Sequence, residues 1–251
     1  GHGSWGGEDR HMGTVKHGAP NYTDTSGFFE SNTNLEKGFG MLEKLIEYGV
    51  PFDRSKNQSN SNLARLGAAL DLSQTNIVMS RVKNGPYPHD GSSYGAYSRP
   101  LSEIATEVEN WGADVFISIH SNAITEGSTT NYPIYLYRGY DNNVYAGDSK
   151  NIAAKCWQYS IENPHMMWTN YTNSTNIRGD ISFWNETYTT TINGYTYYGY
   201  YGVLRHGTQG FLVEGYFHTY QPARHKAMNW DVCRIEGAGY AKGFRDYFGA
   251  G

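Results

Sequence analysis

Short apolar runs alternate along this chain with segments whose apolar residues recur at helical spacing. The clearest runs are residues 115–120, which end on His120, and residues 211–213, followed by Glu214. Apolar runs of this kind are typical of strands buried on both faces of a sheet. Further strands are predicted at 77–79 and 132–137, and helices at 30–48, 100–111, 149–162 and 231–248. The alternation predicts an α/β fold, a three-layer sandwich whose mostly parallel central sheet is flanked by helices.

The chain shows no internal repeat or low-complexity tract, so we expect residues 1–251 to form a single domain. Threonine and tyrosine alternate over residues 185–201 around Asn193-Gly194, a sequence that favours a two-residue hairpin turn. This hairpin and the polar stretch at about 50–75 are interpreted as insertions. Because the chain opens on Gly1-His2-Gly3, a glycine turn, we expect a first strand upstream of residue 1.

Composition excludes several classes of protein. Hydrophobic residues make up 38% and charged residues 18%, which is enough for a packed core. The net charge of −4 provides no basic surplus for binding a phosphate backbone, so nucleic acid is not the expected partner. No apolar stretch is long enough to cross a membrane. The two cysteines, Cys156 and Cys233, are not in a CxxC pair, which argues against a thiolate zinc site and leaves their pairing open.

Four polar residues fit the demands of a catalytic zinc site. Such a site usually has three protein ligands drawn from His, Glu and Asp, an open position for water, and a nearby carboxylate. His120 and Glu214 end apolar runs, where α/β sheets gather their chemistry. His2 lies between glycines, and Glu30 begins a helical segment. Taken singly, His2 could be a plain terminal residue, Glu30 a helix-capping residue and His120 a core-edge histidine.

Several segments match one known family in order. They are Gly1-His2-Gly3, Glu30 with Leu35, residues 77–81 (IVMSR), 118–123 (SIHSNA), 177–179 (IRG), 202–205 (GVLR) and 211–217 (FLVEGYF). Together these segments resemble the zinc-dependent N-acetylmuramoyl-L-alanine amidases of the Amidase_3 family. The resemblance extends over nearly the whole chain.

The resemblance implies a peptidoglycan hydrolase with one zinc ion per chain. The implied zinc ligands are His2, Glu30 and His120. It further implies that zinc activates a water molecule, that Glu214 acts as general base and then general acid, and that the amide between N-acetylmuramic acid and L-alanine is cleaved. Arg205 and Asn122 are candidate substrate-binding residues. The implied location, inferred from the substrate, is the periplasm, the cell surface or the medium.

Two other functions stay open at this point. A zinc carboxypeptidase-like peptidase could use a similar ligand set on a peptide bond of the stem. In carboxypeptidases, however, the histidine and glutamate ligands lie a few residues apart, whereas a helix-length segment separates His2 from Glu30. A wall-binding relic without activity would need none of the four residues. Stem-peptide preference, regulation by an inhibitory helix, oligomeric state and the choice between autolysin and phage lysin are not predicted.

Overall fold

The computed structural model describes residues 4–5, 28, 30–49, 77, 79, 85–86, 101–125, 127–166, 168–169 and 176–248. Within these ranges the helices are α1 (Glu30–Glu47), α2 (Leu101–Trp111), α3 (Ser149–Ile161), α4 (Asp180–Trp184), α5 (Gln221–Ala227) and α6 (Trp230–Phe248). The strands are β1 (Ser4–Trp5), β2 (Gly85–Pro86), β3 (Phe116–Asn122), β4 (Ile134–Tyr137), β5 (Gly139–Tyr140), β6 (Asn143–Val144), β7 (Ile177–Gly179), β8 (Tyr188–Ile192), β9 (Tyr195–Gly199) and β10 (Gly210–Phe217).

The central sheet has the strand order β3-β10-β4-β7 in the described part of the chain. Strand β10 runs parallel to β3 and antiparallel to β4, and β4 runs parallel to β7. The sheet is therefore mixed but mostly parallel, which confirms the predicted fold class. Because β3 and β10 are parallel, their carboxyl ends lie at the same edge of the sheet.

Both site-bearing strands are longer than predicted. The strand predicted to end on His120 continues to Asn122, and the strand predicted at 211–213 continues past Glu214 to Phe217, so that His120 and Glu214 form a register pair. The ladder continues beyond them to the pair of Asn122 with Phe217, after an irregularity in register. The strands are longer because backbone hydrogen bonds between β3 and β10 continue after the apolar residues end. Polar residues are thereby included in both strands.

Alternate residues of β10 face opposite layers of the fold. Phe211 and Val213 pack in a cluster with side chains of α1, α3 and α6. On the other face, Leu212 packs with Ile104 of α2 and with Leu204 of a 3₁₀ turn. Full burial of such a side chain stabilises the fold by roughly 1.5–3 kcal/mol. Helices therefore cover both faces of the sheet, which confirms the three-layer sandwich.

Helices α1 and α6 approach closely at glycines. A methyl group on Gly237 would lie 1.9 Å from the carbonyl oxygen of Lys37, and one on Gly40 would lie 2.3 Å from the carbonyl oxygen of Arg234. Both contacts are with backbone atoms, which cannot move aside as a side chain can. The two glycines thus set the distance between the helices.

We expect Gly237→Ala to lower the free energy of unfolding by about 1–3 kcal/mol, because the added methyl overpacks the helix contact. Gly239→Ala in the same helix is the matched control, since its methyl would meet the nearest atom at an ordinary 3.4 Å. The control should be neutral or stabilising by up to about 1 kcal/mol through helix propensity. Urea unfolding of both variants makes the comparison, and equal losses would contradict the proposed role of Gly237.

The predicted hairpin is confirmed. Strands β8 and β9 pair antiparallel around Asn193 and Gly194, whose φ values of 50° and 83° are those of a tight hairpin turn. The hairpin is tied to the domain by Arg138, whose Nε donates to the carbonyl oxygen of Tyr198 at 2.7 Å. The insertion predicted at 50–75 and residues 1–3 lie outside the described residues.

The structure also describes both cysteines. Cys156 and Cys233 are both buried free thiols, so they do not pair. No helix in the described ranges is long and apolar enough to cross a membrane.

Candidate functional site

Glu30 links the start of α1 to the end of β3. Its buried Oε1 accepts hydrogen bonds from Asn34 Nδ2 at 3.0 Å, one helical turn further on, and from the backbone N–H of Ser121 at 3.1 Å. The same oxygen lies 3.4 Å from His120 Nδ1. Glu30 therefore does more than complement the helix dipole, because it brings a carboxylate to a histidine that is 90 positions away in sequence.

His120 is buried and its imidazole has a defined orientation. Its Nε2 lies 3.1 Å from Ser118 Oγ on the same face of β3, while its backbone oxygen accepts from Lys37 Nζ at 3.2 Å. A neutral imidazole and a carboxylate at hydrogen-bonding range are both ordinary zinc ligands. The pair of Glu30 and His120 thus supplies two donors of the kind that a metal requires.

Glu214 lies beside this pair on the neighbouring strand. Its side chain is buried, and its Oε2 has no hydrogen-bond partner in the described part of the chain. Burial raises the pKa of this carboxyl group well above its usual range, the Glu30 carboxylate raises it further, and the Lys37 ammonium opposes both. A buried carboxylate oxygen without a partner is unfavourable. Its position suits a group that faces a cation or receives a proton.

A buried ion pair lies beneath the strand ends, and the sequence interpretation missed it. Lys37 Nζ lies 3.0 Å from Glu236 Oε1, and both side chains are fully buried. The ammonium group also lies over the Tyr216 ring, 4.4 Å from its centroid. Gly215 leaves the space that the pair fills, since a methyl there would lie 1.8 Å from Glu236 Oε1. Helical periodicity alone could not reveal the pair, because its members lie on α1 and α6.

Tyr201 directly precedes the 3₁₀ turn Gly202–Leu204 and is near enough to Glu214 to be affected by its charge. Burial raises the pKa of this phenol, with the Glu214 carboxylate as the second cause. Tyr201 packs against the cluster that contains Leu212 and Phe217 of β10.

The remaining predicted residues are placed as follows. Arg205 donates from Nη1 to the carbonyl oxygen of Thr189 at 3.1 Å and from Nη2 to that of Tyr200 at 3.3 Å. Asn122 Oδ1 accepts from the backbone N–H of Ala123 at 2.8 Å. Neither contact tests a substrate-binding role, which stays a prediction for both.

His2, the third predicted ligand, lies outside the described residues. Among the residues that the structure describes, no group of three or more His, Cys, Asp or Glu side chains is arranged to hold a metal ion. Of the three predicted ligands, Glu30 and His120 are described and lie together, and a ligand role stays a prediction for both. His218 also lies close by, with Nδ1 2.9 Å from Ser121 Oγ.

No protein-family model matches the chain, and no curated protein sequence does. Several solved structures, however, are similar to the chain. The catalytic domain of CwlV, an N-acetylmuramoyl-L-alanine amidase from Bacillus (Paenibacillus) polymyxa var. colistinus, is 17% identical with a TM-score of 0.55, covering 97% of this chain and 97% of that chain. An N-acetylmuramoyl-L-alanine amidase from Clostridium difficile 630 is 21% identical with a TM-score of 0.56, and the match covers 99% of this chain and 93% of that chain. AmiC2, an N-acetylmuramoyl-L-alanine amidase of Nostoc punctiforme, is 15% identical with a TM-score of 0.56, and the match covers 99% of this chain and 93% of that chain. Over nearly its whole length, the chain therefore has the α/β fold of N-acetylmuramoyl-L-alanine amidases.

Proposed function

We propose that this chain is a zinc-dependent N-acetylmuramoyl-L-alanine amidase that acts on peptidoglycan. The observation that carries the proposal is the convergence of Glu30 and His120, 3.4 Å apart, with Glu214 on the adjoining strand. These are the positions to which the motif resemblance assigns two metal ligands and the catalytic carboxylate. The fold shared with solved amidases supports the same activity. Because the wall lies outside the cytoplasm, the proposed location is periplasmic, cell-surface or secreted.

The chemistry of the donor set fits zinc. Glu30 and His120 would hold the ion together with His2, and the unpartnered Oε2 of Glu214 supplies negative charge beside them. When bound, zinc lowers the pKa of a coordinated water molecule and polarises a carbonyl group as a Lewis acid. The hydrogen bonds that Glu30 accepts from Asn34 and Ser121 orient its carboxylate before any ion arrives.

Glu214 performs the proton transfers. In its ionised form it accepts a proton from the attacking water, whose oxygen bonds to the lactyl carbonyl carbon of the muramoyl group. The carbon–nitrogen bond to L-alanine then breaks, and Glu214 passes the proton to the leaving amine. The raised pKa of Glu214 makes it a stronger base than an exposed carboxylate, which suits both transfers. The products are a glycan with a free lactyl carboxylate and a stem peptide with a new amino-terminal L-alanine.

The test combines metal analysis with identification of the product on purified peptidoglycan. We expect about one zinc ion per chain, release of stem peptides that begin with L-alanine, and loss of activity when a chelator removes the metal. His120→Ala should lose both zinc and activity, because it removes a ligand. His165→Ala, an exposed histidine after α3, is the matched control and should retain both.

Each alternative function predicts a different result in that test. A stem peptidase would bind zinc but create amino termini other than L-alanine. A wall-binding relic would bind peptidoglycan and release nothing. Either outcome would overturn the amidase assignment.

A further inference from the structure

Aromatic rings form a partly exposed surface beside the hairpin of β8 and β9. The Trp184 and Tyr200 rings are stacked, with centroids 5.0 Å apart and an interplanar angle of 19°. The Tyr188 ring meets Tyr200 edge-on at 5.4 Å. Trp184 is 43% exposed and Tyr188 is 47% exposed, so both present ring surface to solvent. We call Trp184, Tyr188 and Tyr200 the aromatic platform.

Hydrogen bonds with Asp180 and Arg205 fix the backbone of the platform. The backbone N–H groups of Tyr200 and Tyr201 donate to Asp180 Oδ2 at 2.6 and 3.1 Å. Asp180 is buried and also accepts from the backbone N–H of Gly139 at 2.9 Å, which anchors the segment to the sheet region. Arg205 donates to the carbonyl oxygen of Tyr200 and has its guanidinium 5.7 Å from the Tyr188 ring centroid. A surface held this way is formed before any ligand binds, which lowers the entropic cost of binding.

The platform continues into the proposed active site through Tyr201. The Tyr201 ring lies 6.4 Å from the Trp184 ring and 5.3 Å from the Tyr200 ring, centroid to centroid. Tyr201 also packs against the cluster of buried side chains that contains Leu212 and Phe217 of β10 and Ile134, the residue of β4 that pairs with Glu214. A polymer with its reacting bond at Glu214 can therefore extend over the platform.

The exposed groups of the platform match one component of peptidoglycan better than the other. Ring faces and hydroxyl edges carry no charge, and pyranose rings offer apolar C–H faces flanked by hydroxyl groups. Stem peptides instead carry carboxylates, which call for an available cation. Stacked tryptophan and tyrosine side chains exposed to solvent are also an unfavourable arrangement unless a ligand covers them.

We propose that the aromatic platform binds the glycan strand of peptidoglycan by stacking against its sugar rings, beside the muramoyl unit whose amide is cleaved. This inference rests on the proposed amidase function for its substrate. The inference adds a surface that binds the glycan strand. This surface is formed by the hairpin segment and contains none of the proposed catalytic residues. Substrates with several sugar units should accordingly bind more tightly than a single muramoyl peptide.

The test uses peptide-free glycan strands, which contain the alternating amino sugars but no amide to cleave. Their binding to the wild-type chain is measured by titration calorimetry. We expect Trp184→Ala to weaken binding roughly ten-fold, the scale of one lost aromatic contact. Trp184→Phe should restore most of the affinity. Trp230→Ala, which removes a tryptophan that is 58% exposed on α6, is the matched control and should bind like the wild type.

Tyr188→Ala is a second variant, since its ring is largely exposed and its loss should not prevent folding. Circular dichroism of each variant checks the fold. Absence of glycan binding by the wild type, or equal affinity of wild type, Trp184→Ala and Tyr188→Ala, would overturn the inference. Binding of isolated stem peptides that depends on Trp184 would also overturn it. Glycan binding that depends on Trp184 in a chain that releases no L-alanine peptide would support the platform and refute the amidase function, so the two failures are distinguishable.

Discussion

Glu214→Gln is expected to abolish release of L-alanine peptides from peptidoglycan while zinc stays bound. Glutamine keeps the shape of the side chain but cannot accept the proton from water or deliver it to the leaving amine. General acid–base groups contribute about 10²–10⁴-fold to rate, so the variant should lose activity by at least that lower factor. The measurement is the rate of appearance of new amino-terminal alanine, with zinc content determined on the same samples.

The same variant should be at least as stable as the wild type. In the metal-free protein, the ionised Glu214 carboxylate is destabilising at neutral pH, because burial raises its pKa well above the usual range, so the comparison is made after a chelator has removed the metal. Removing that charge should leave the free energy of unfolding unchanged or higher, as is common when a catalytic group is replaced. An inactive but destabilised variant would leave a folding defect as the explanation.

Glu162→Gln, an exposed glutamate after α3, provides the matched control and should keep full activity. Glu214→Asp retains a carboxylate but is one methylene shorter, so its rate should lie between those of the wild type and Glu214→Gln. If Glu214→Gln kept more than about a tenth of the wild-type rate, another group would have to be the base.

Lys37→Met is expected to cause the largest loss of stability of the substitutions considered. It would leave the buried Glu236 carboxylate without the cation that lies 3.0 Å from it. Breaking a buried pair from one side typically costs about 3–5 kcal/mol. That loss is a large share of the roughly 5–15 kcal/mol that stabilises an ordinary domain. Urea unfolding at neutral pH measures it.

A double variant separates the charge effect from packing. In Lys37→Met with Glu236→Gln the uncompensated charge is gone, and the glutamine oxygen can still accept the hydrogen bond from the Tyr240 hydroxyl. We expect most of the lost stability to return, which a double-mutant cycle would record as strong coupling. Lys44→Met is the control, because its partner Glu47 is exposed and such a pair contributes at most about 1 kcal/mol. Equal losses for Lys37→Met and Lys44→Met would contradict the role of the buried pair.

The local sequence pattern predicted the elements that are stabilised by short-range interactions. Apolar spacing placed α1, α2, α3 and α6 to within about one residue of their observed ends. The Asn193-Gly194 pair placed the hairpin turn, because these residues tolerate the positive φ that such a turn requires. The short α4 and α5 and the three-residue β7 were missed, since a segment of that length contains too few residues to show periodicity.

Strand order and strand ends depended on contacts between distant parts of the chain. Nothing in the local pattern indicates that β10 lies between β3 and an antiparallel β4. Backbone groups are the same in every residue, so the sequence of a strand does not specify which other strand it pairs with. The same non-local pairing extends β3 past His120 and β10 past Glu214.

For the candidate site, too, the sequence determined some features and the tertiary structure determined others. The sequence alone indicated Glu30, His120 and Glu214 as candidates for the chemistry, since it determines which side chains carry imidazole and carboxylate. Only the tertiary structure brought Glu30 Oε1 to within 3.4 Å of His120 Nδ1 and placed the Lys37–Glu236 pair beneath them. It also set the Trp184 ring beside Tyr201. Reactivity is a property of residue type, whereas proximity and burial, which change a pKa and assemble a site, arise only when the chain folds.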